Sequence, residues 1–245
     1  MKIYYKYSPN FDKRKRLINS IKIIVIHYTG MQSERESLNR LCDKKSNVSS
    51  HFLINRNGKL YKLINENQIA WHAGKSCWGK FKNLNKNSIG IELVNRGHQF
   101  GYTNFGKKQI LTLTRICKIL INKYKIKNKN IVGHSDIAPL RKKDPGEKFP
   151  WEKLAKSKIG VWHSYEQSTL RKFRKIKVIK RKDKIKFFNN LNKIGYCISI
   201  RQKYFLTKIL KAFQRRYRNQ LINGLLDKEC LIISQNLTKK LAKNS

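Results

Sequence analysis

The chain has 245 residues, and 40% of them are hydrophobic, which supports one sizeable domain with a smaller second one and excludes a chain that is disordered throughout. Lys and Arg number 56 against 14 Asp and Glu, so the formal net charge is +42. No apolar run reaches the roughly 18 residues of a membrane-spanning helix, and the opening residues lack the apolar segment of an export signal.

A charge of this size attracts polyanions in general, so we expect nonspecific attraction to nucleic acid, anionic lipid or an acidic wall polymer. The basic residues are spread along the whole chain, and they form neither a concentrated stripe nor a recognisable nucleic-acid module. The sequence therefore predicts no specific nucleic-acid partner. Lys, Ile and Asn are all abundant, and all have codons made largely of A and T. This favours drift in base composition as the origin of the charge.

The cysteines are odd in number and scattered, and they show no C-x-x-C spacing. This pattern predicts neither a disulfide framework nor a cysteine-based zinc site. We expect small buried apolar side chains at all five positions: Cys42, Cys77, Cys117, Cys197 and Cys230.

Three β-branched apolar runs predict strands in the first part of the chain. IKIIVIH is a buried strand that ends at His27, and SSHFLINRNGKLYKLI is a hairpin around Asn57-Gly58. SIGIELVN places Glu92 inside a third apolar strand, which is an anomalous position for a carboxylate.

Helical spacing of apolar residues between Lys107 and Tyr124 predicts an amphipathic helix that covers a sheet, and NIVGHSDI predicts a short strand that ends at His134. Strands interspersed with helices predict an α/β (α+β) domain over residues 1–164, with a central mixed β-sheet flanked by helices. The dense basic stretch at 165–186 predicts a linker or a solvated edge. Three glycine-punctuated helical segments predict a small three-helix domain at 187–245.

Polar groups at predicted strand ends indicate a metal site at one edge of the sheet. A catalytic zinc ion takes about three protein ligands, typically imidazole nitrogens and a carboxylate oxygen, and keeps one position open. His27 and His134 both end apolar strands, and Asp144 is held in the stiff turn that it forms with Pro145 and Gly146. A single strand-end histidine is more often only hydrogen-bonded, but the combination with Glu92 favours a site.

Six segments in order resemble the zinc-dependent N-acetylmuramoyl-L-alanine amidases of the type 2 amidase (AmpD-like) family. They are VIHYTG, SSHFLINRNGKLYKLI, IAWHAGKSCWGK, LNKNSIGIELVNRGH, VGHSDIAPLRKKDPGEKFPWEKLA and IGVWH, and they span most of residues 20–163. The tail ILKAFQRRYRNQLINGLLDKEC is similar to the core of the small helical peptidoglycan-binding domain that a relative carries.

The resemblance implies one Zn²⁺ per chain, with His27, His134 and Asp144 as the metal ligands. It implies that Glu92 is the catalytic carboxylate and that Lys142 is a second catalytic residue. The implied reaction cuts the amide between the lactyl group of N-acetylmuramic acid and L-alanine of the stem peptide. The implied partners are peptidoglycan or muropeptides.

Four further residues are candidate substrate contacts: Trp71 and His72, which the resemblance places along the substrate groove, and Tyr28 and Arg96, which lie close in sequence to His27 and Glu92. His72 could equally be a structural histidine, and an arginine such as Arg96 suits the carboxylates of a stem peptide. A peptidoglycan-recognition protein on the same fold, which binds without cutting, is the alternative function. The lack of an export signal favours the cytoplasm, the resemblance makes the periplasm possible, and the wall-binding tail favours polymeric murein as the substrate, so the compartment stays open.

Overall fold

The computed structural model describes residues 2–198 and 203–243. Its strands are β1 (Ile3–Tyr5), β2 (Phe11–Asp12), β3 (Ile23–Tyr28), β4 (Phe52–Ile54), β5 (Leu60–Lys62), β6 (Ile69–Ala70), β7 (Cys77–Trp78), β8 (Phe81–Lys82), β9 (Ser88–Leu93) and β10 (Ile131–Gly133). Its helices are α1 (Glu34–Cys42), α2 (Lys107–Tyr124), α3 (His134–Ile137), α4 (Trp151–Lys156), α5 (Gln167–Phe173), α6 (Arg181–Ile194), α7 (Lys203–Tyr217) and α8 (Lys228–Lys243). None of the helices in these two ranges is long and apolar enough to cross a membrane.

A mixed six-stranded sheet forms the centre of the fold, in the order β1-β5-β4-β9-β3-β10. The four strands β4, β9, β3 and β10 run parallel to one another. Strand β5 pairs with β4 in the antiparallel direction. The prediction of a central mixed sheet flanked by helices is therefore confirmed. Because β9, β3 and β10 are adjacent and parallel, their carboxyl ends lie together at one edge of the sheet.

The alternation of side chains along β3 explains why the sheet is covered on both faces. Ile24 and Ile26 belong to one buried cluster, together with the apolar side of α2. Ile23 and Val25 belong to a second cluster, together with apolar side chains of α6, α7 and α8. Strand β3 is thus buried on both sides, which agrees with its nearly continuous apolar sequence.

Most of the predicted elements in the first 164 residues are present. Strands β4 and β5 form the predicted hairpin, with Asn57-Gly58 in the turn between them. Strand β9 contains Glu92, and α2 spans the residues that helical spacing indicated. The strand predicted to end at His134 ends one residue earlier, because His134 is the first residue of α3.

The helices α6, α7 and α8 occupy the region predicted to be helical, but α6 begins at Arg181, six residues before the predicted domain and within the predicted linker. Residues 199–202 and 244–245 of the predicted domain lie outside the described part. The stretch predicted to be a linker contains the helix α5, in which Leu170 is buried, and a further buried apolar residue, Val178. Both side chains join the cluster that includes Val25, so the helices and the sheet share one core. The division of the chain into two domains stays a prediction.

The prediction of five buried thiols is wrong for Cys77 and Cys197, and it holds only in part for Cys42. Cys77 on β7 and Cys197 after α6 form a disulfide across a sequence separation of 120 residues. Cys117 and Cys230 are buried thiols, as expected, whereas Cys42 is only partly buried. The pairing could not be read from spacing, because long-range packing brings β7 against the end of α6.

Candidate metal centre

Three buried side chains converge where β3 and β10 end. The Nδ1 atom of His27 lies 3.0 Å from Nδ1 of His134 and 3.0 Å from Oδ2 of Asp144, and Nδ1 of His134 lies 3.1 Å from that oxygen. Zinc bonds to such atoms are about 2.0 to 2.2 Å long, which places neighbouring ligands of a tetrahedral site roughly 3.3 Å apart. The separations and the donor set therefore fit one metal ion.

The protein fixes the protonation of both histidines through their outer nitrogens. The hydroxyl of Ser88 donates to the Leu84 carbonyl at 2.6 Å, so its oxygen accepts from Nε2 of His72 at 3.2 Å. The Nδ1 atom of His72 then accepts from Nε2 of His27 at 3.0 Å. His27 is left with an unprotonated Nδ1 that faces the other two candidate ligands, which is the form that binds a metal.

His134 is held in the same way, because its Nε2 donates to the Ala73 carbonyl at 3.2 Å. Its Nδ1 is therefore a second free acceptor directed at Asp144. Burial, followed by the proximity of His134, lowers the pKa of His27 to about 4, so that ring stays neutral near pH 7. Burial alone would raise the pKa of Asp144, but His134 and His27 together lower it below its usual range. When the Nδ1 atoms of both rings are unprotonated, they and the carboxylate offer three lone pairs to a cation.

Glu92 lies beside this group, because its position on β9 is paired with that of His27 on β3. Its Oε2 is buried and has no hydrogen-bond partner among the described residues. Burial and then the charge of Asp144 raise the pKa of Glu92 to about 8, although Lys142 acts in the opposite direction. An unpartnered carboxyl group with a raised pKa is a good proton acceptor and donor in a catalytic site.

A cavity of about 600 Å³ opens above these residues, and it is lined by most of the predicted site residues. Lys142 is one of them, and its charge acts on both His27 and Glu92. Lining side chains that bring positive charge are Arg40, Arg141, Lys142 and Lys143. The cavity thus combines a candidate metal centre with a cationic wall.

The four predicted substrate contacts have different positions. Tyr28 and Trp71 line the cavity, and Nε1 of Trp71 donates to Asp12 at 2.6 Å. His72 also lines it, but both of its ring nitrogens are used within the protein, by His27 and Ser88. Arg96 is exposed and is not among the described residues that line the cavity.

The packing of His72 depends on a glycine in the neighbouring strand. A Cβ atom on Gly90 would lie 2.5 Å from Cγ of His72, so a larger residue on β9 would displace the ring. The absence of a side chain at Gly90, two residues before Glu92, therefore has a structural reason. His72 contacts Nε2 of His27, which is consistent with a structural role for this histidine.

Sequence reasoning missed a hydrogen-bonded chain at the mouth of the cavity. The Nε2 atom of His98 donates to Glu147 at 3.0 Å, and its Nδ1 accepts from the hydroxyl of Tyr28 at 2.8 Å. Burial and then the charge of Asp144 raise the pKa of Tyr28 to about 12, so this hydroxyl keeps its proton. The three residues come from separate segments, and no local pattern links them.

Arg141 was missed as well, although it lies within the segment that carries Asp144. One of its amino groups donates to the carbonyls of Ala73 and Lys75, so it holds the loop after β6 against the start of the turn. Since Ala73 also accepts from His134, Arg141 supports the same carbonyl that fixes this ligand. A lone arginine in so basic a chain gives no sequence signal.

The chain is similar to known amidases over most of its length. The family described as N-acetylmuramoyl-L-alanine amidase matches residues 18–147, which include His27, Glu92, His134 and Asp144. The N-acetylmuramoyl-L-alanine amidase AmiD of Escherichia coli is 37% identical over 237 residues, covering 90% of this chain and 83% of that protein. The 1,6-anhydro-N-acetylmuramyl-L-alanine amidase AmpD of Haemophilus influenzae is 35% identical over 168 residues, covering 61% of this chain and 89% of that protein.

Solved structures show the same likeness over nearly the whole chain. The structure of Escherichia coli AmiD with anhydro-N-acetylmuramic acid-L-Ala-D-γ-Glu-L-Lys superposes with a TM-score of 0.79 at 33% identity, covering 94% of this chain and 92% of that one. AmpDh3 from Pseudomonas aeruginosa gives a TM-score of 0.79 at 29% identity, covering 98% and 96%. The helical part after residue 164 is therefore included in the shared fold.

Proposed function

The chain belongs to the N-acetylmuramoyl-L-alanine amidase family, and we propose that it works as a single-zinc hydrolase with His27, His134 and Asp144 as the metal ligands. The enzyme hydrolyses the amide between the lactyl group of N-acetylmuramic acid and L-alanine of the stem peptide. The observation that carries the zinc assignment is the convergence of two imidazole nitrogens and one carboxylate oxygen within 4.8 Å of one another.

When bound, zinc lowers the pKa of a water molecule to about 7 and polarises a carbonyl oxygen. Glu92 takes the proton of the attacking water and delivers it to the leaving nitrogen of L-alanine, so that the carbon–nitrogen bond breaks and a neutral amine leaves. Its unpartnered Oε2 supports this role, because no protein group competes for the proton. Lys142 lowers the pKa of Glu92, and a cation among the three ligands would lower it further, which prepares the carboxylate as a base.

Lys142 stabilises the negative charge that develops on the carbonyl oxygen of the scissile amide. Its side chain lines the cavity next to Asp144, which is the position that such a charge requires. Tyr28 and Trp71 bind the substrate from the walls of the cavity, and His72 acts indirectly by holding His27.

The partners that we propose are muropeptides and peptidoglycan strands. A stem peptide carries several carboxylates, and the cavity offers Arg40 and Lys143 as exposed cations at its walls. Arg96 is exposed outside the lining, so we propose that it contributes only if a longer peptide extends beyond the cavity.

The test uses purified protein with its zinc content measured, incubated with a soluble muramoyl-tripeptide and separately with intact sacculi, while products are followed by mass spectrometry. We expect release of free peptide that begins at L-alanine, and we expect a chelator to stop it. The relative rates on the two substrates would distinguish recycling of muropeptides from cutting of the wall.

Two variants sharpen this test. Glu92→Gln should abolish turnover while the protein keeps its zinc, because the amide cannot accept and return a proton. Glu66→Gln is the matched control, since this carboxylate pairs with Lys62 at 3.2 Å outside the cavity and should leave turnover unchanged. Peptide release by Glu92→Gln at the wild-type rate would contradict the assigned role. No release by the wild type despite bound zinc would favour a recognition protein.

A further inference from the structure

Two side chains of the helical part reach the segment that carries His134. We propose that Tyr196 and Arg216 are positioning residues for the metal centre, and that they act by clamping Asp136, which lies two residues after His134. This inference rests on the zinc role proposed above. It assigns to the helical part a function in the hydrolysis itself, in addition to any binding of the wall.

Asp136 is almost completely buried, and its carboxylate receives hydrogen bonds from both parts of the protein. Oδ1 accepts from the hydroxyl of Tyr196 at 2.6 Å, and Oδ2 accepts from Nη1 of Arg216 at 2.6 Å. Tyr196 is 1% exposed and Arg216 is 2% exposed, so water does not compete for these contacts. A buried carboxylate with short charge-assisted bonds is held in one position.

Arg216 also contacts strand β10 at the edge of the sheet. Its Nη2 donates to the carbonyl of Ile131 on β10 at 2.9 Å, while its guanidinium stacks on the ring of Trp151 at 4.2 Å. One planar side chain thus bridges the beginning of β10 and the first turn of α3. Lysine could replace the charge but could not make both contacts from the same plane.

Asp136 connects these contacts to the backbone around His134. Its Oδ2 also accepts from the backbone nitrogen of Gly133 at 2.8 Å, which fixes the backbone on both sides of His134. The backbone nitrogen of Ser135 donates to the carbonyl of Asp144 at 2.8 Å, so the same turn is tied to a second metal ligand. Metal sites tolerate displacements of only about 0.5 Å, so a shift of this turn would spoil the ligand set.

Tyr196 is itself anchored to the catalytic part. Its ring packs edge to face against Trp78 at 5.0 Å, and the carbonyl of Gly195 accepts from the backbone nitrogen of Gly79 at 2.7 Å. The next residue, Cys197, is crosslinked to Cys77. The hydroxyl of Tyr196 is therefore presented to Asp136 by a segment that is fixed on both sides.

Arg218 provides a matched control for Arg216. It lies two residues after Arg216, directly after the end of α7, and it is 1% exposed. Its guanidinium pairs with Asp227 and with Glu229. Both carboxylates belong to the helical part. A change at Arg218 should therefore loosen these helices as much as a change at Arg216, without pulling on the turn of His134.

The experiment compares Tyr196→Phe, Arg216→Lys and Arg218→Lys with the wild type in the full chain, each verified as folded by near-ultraviolet circular dichroism. Zn²⁺ affinity is measured by competition with a chromophoric chelator, and the visible spectrum of the Co²⁺-loaded protein reports ligand geometry. Turnover of a soluble muramoyl-tripeptide is then measured at saturating metal. Thermal unfolding of each variant serves as the measure of general stability.

We expect Tyr196→Phe and Arg216→Lys each to weaken Zn²⁺ binding by about 10-fold or more, to change the Co²⁺ spectrum, and to lower kcat with little change in KM. Arg218→Lys should lower the unfolding temperature and leave metal affinity and spectrum unchanged. Equal effects of Arg216→Lys and Arg218→Lys on metal affinity would overturn the proposal, and so would wild-type affinity and kcat in both Tyr196→Phe and Arg216→Lys. A wild type that fails to bind Zn²⁺ would refute the proposed zinc role itself.

Discussion

Replacing Glu92 by Gln should stabilise the metal-free protein at alkaline pH, because it removes a carboxyl group that ionises reluctantly in the folded state. The pKa of Glu92 is raised from its usual 4.5 to about 8. Between these two values the unfolded chain has released the proton of this group and the folded chain still holds it. The free energy of unfolding therefore falls as the pH rises from 4.5 to 8, and the loss is complete above 8.

This rise in the pKa of Glu92 corresponds to a loss of about 5 kcal/mol in the free energy of unfolding, because each pKa unit is equivalent to about 1.4 kcal/mol. Glu92 is only partly buried and faces the cavity, so water screens part of the penalty, and we expect about 2 to 3 kcal/mol. The assay is chemical denaturation in the presence of a chelator at several pH values between 5 and 9. The difference between Glu92→Gln and the wild type should grow across this range.

Glu152→Gln is the control for this experiment, since that carboxylate is exposed and pairs with Lys156 at 2.9 Å on the surface of α4. The plot of its free energy of unfolding against pH should stay parallel to that of the wild type, because exposed ion pairs contribute little to stability. If the curve of Glu92→Gln is also parallel to the wild type, Glu92 is already ionised in the folded protein near pH 5. The argument from its burial and from the charge of Asp144 would then be wrong.

Two further changes test the supports of the site. His72→Phe should weaken Zn²⁺ binding by about 10-fold to 100-fold in a chelator competition, because Nε2 of His27 loses its acceptor; unchanged affinity would exclude this support. Cys77→Ser should lower the free energy of unfolding by about 2 to 4 kcal/mol in a denaturant titration, because the bond to Cys197 closes a long loop. An equal stability of Cys77→Ser and the wild type under oxidising conditions would show that the crosslink contributes nothing.

Local patterns were sufficient to predict the elements that build the catalytic edge. Strands β3 and β9 are apolar on both faces, and Glu92 is the one charged residue within these two strands. Its position is paired with that of His27, beside the candidate ligands. The Asn57-Gly58 turn and the helical spacing of α2 are equally local signals. Since His27 and His134 follow adjacent parallel strands, the sheet brings them together once those strands are known.

The supports of the site could not be predicted, because each depends on contacts between distant segments. Tyr196 and Arg216 are 60 and 80 residues away from Asp136 in sequence. No sequence pattern around Tyr196 or Arg216 distinguishes these two residues from the many other polar residues of the chain. The helix α5 escaped detection for a related reason, since Leu170 is its only buried residue and gives no amphipathic pattern.

The shared core explains why side chains of the helical part can reach the turn that carries His134. Ile23 and Val25 on β3 are buried in the same cluster as Phe187 and Phe213 of α6 and α7, so the helices form the second covering layer of the sheet. A layer that is required for burial is also rigidly placed, and its polar side chains can therefore hold a neighbouring turn as firmly as the sheet does. Arg216 uses this placement: its charge is buried at the boundary between the layers, where it is neutralised by Asp136 beside His134.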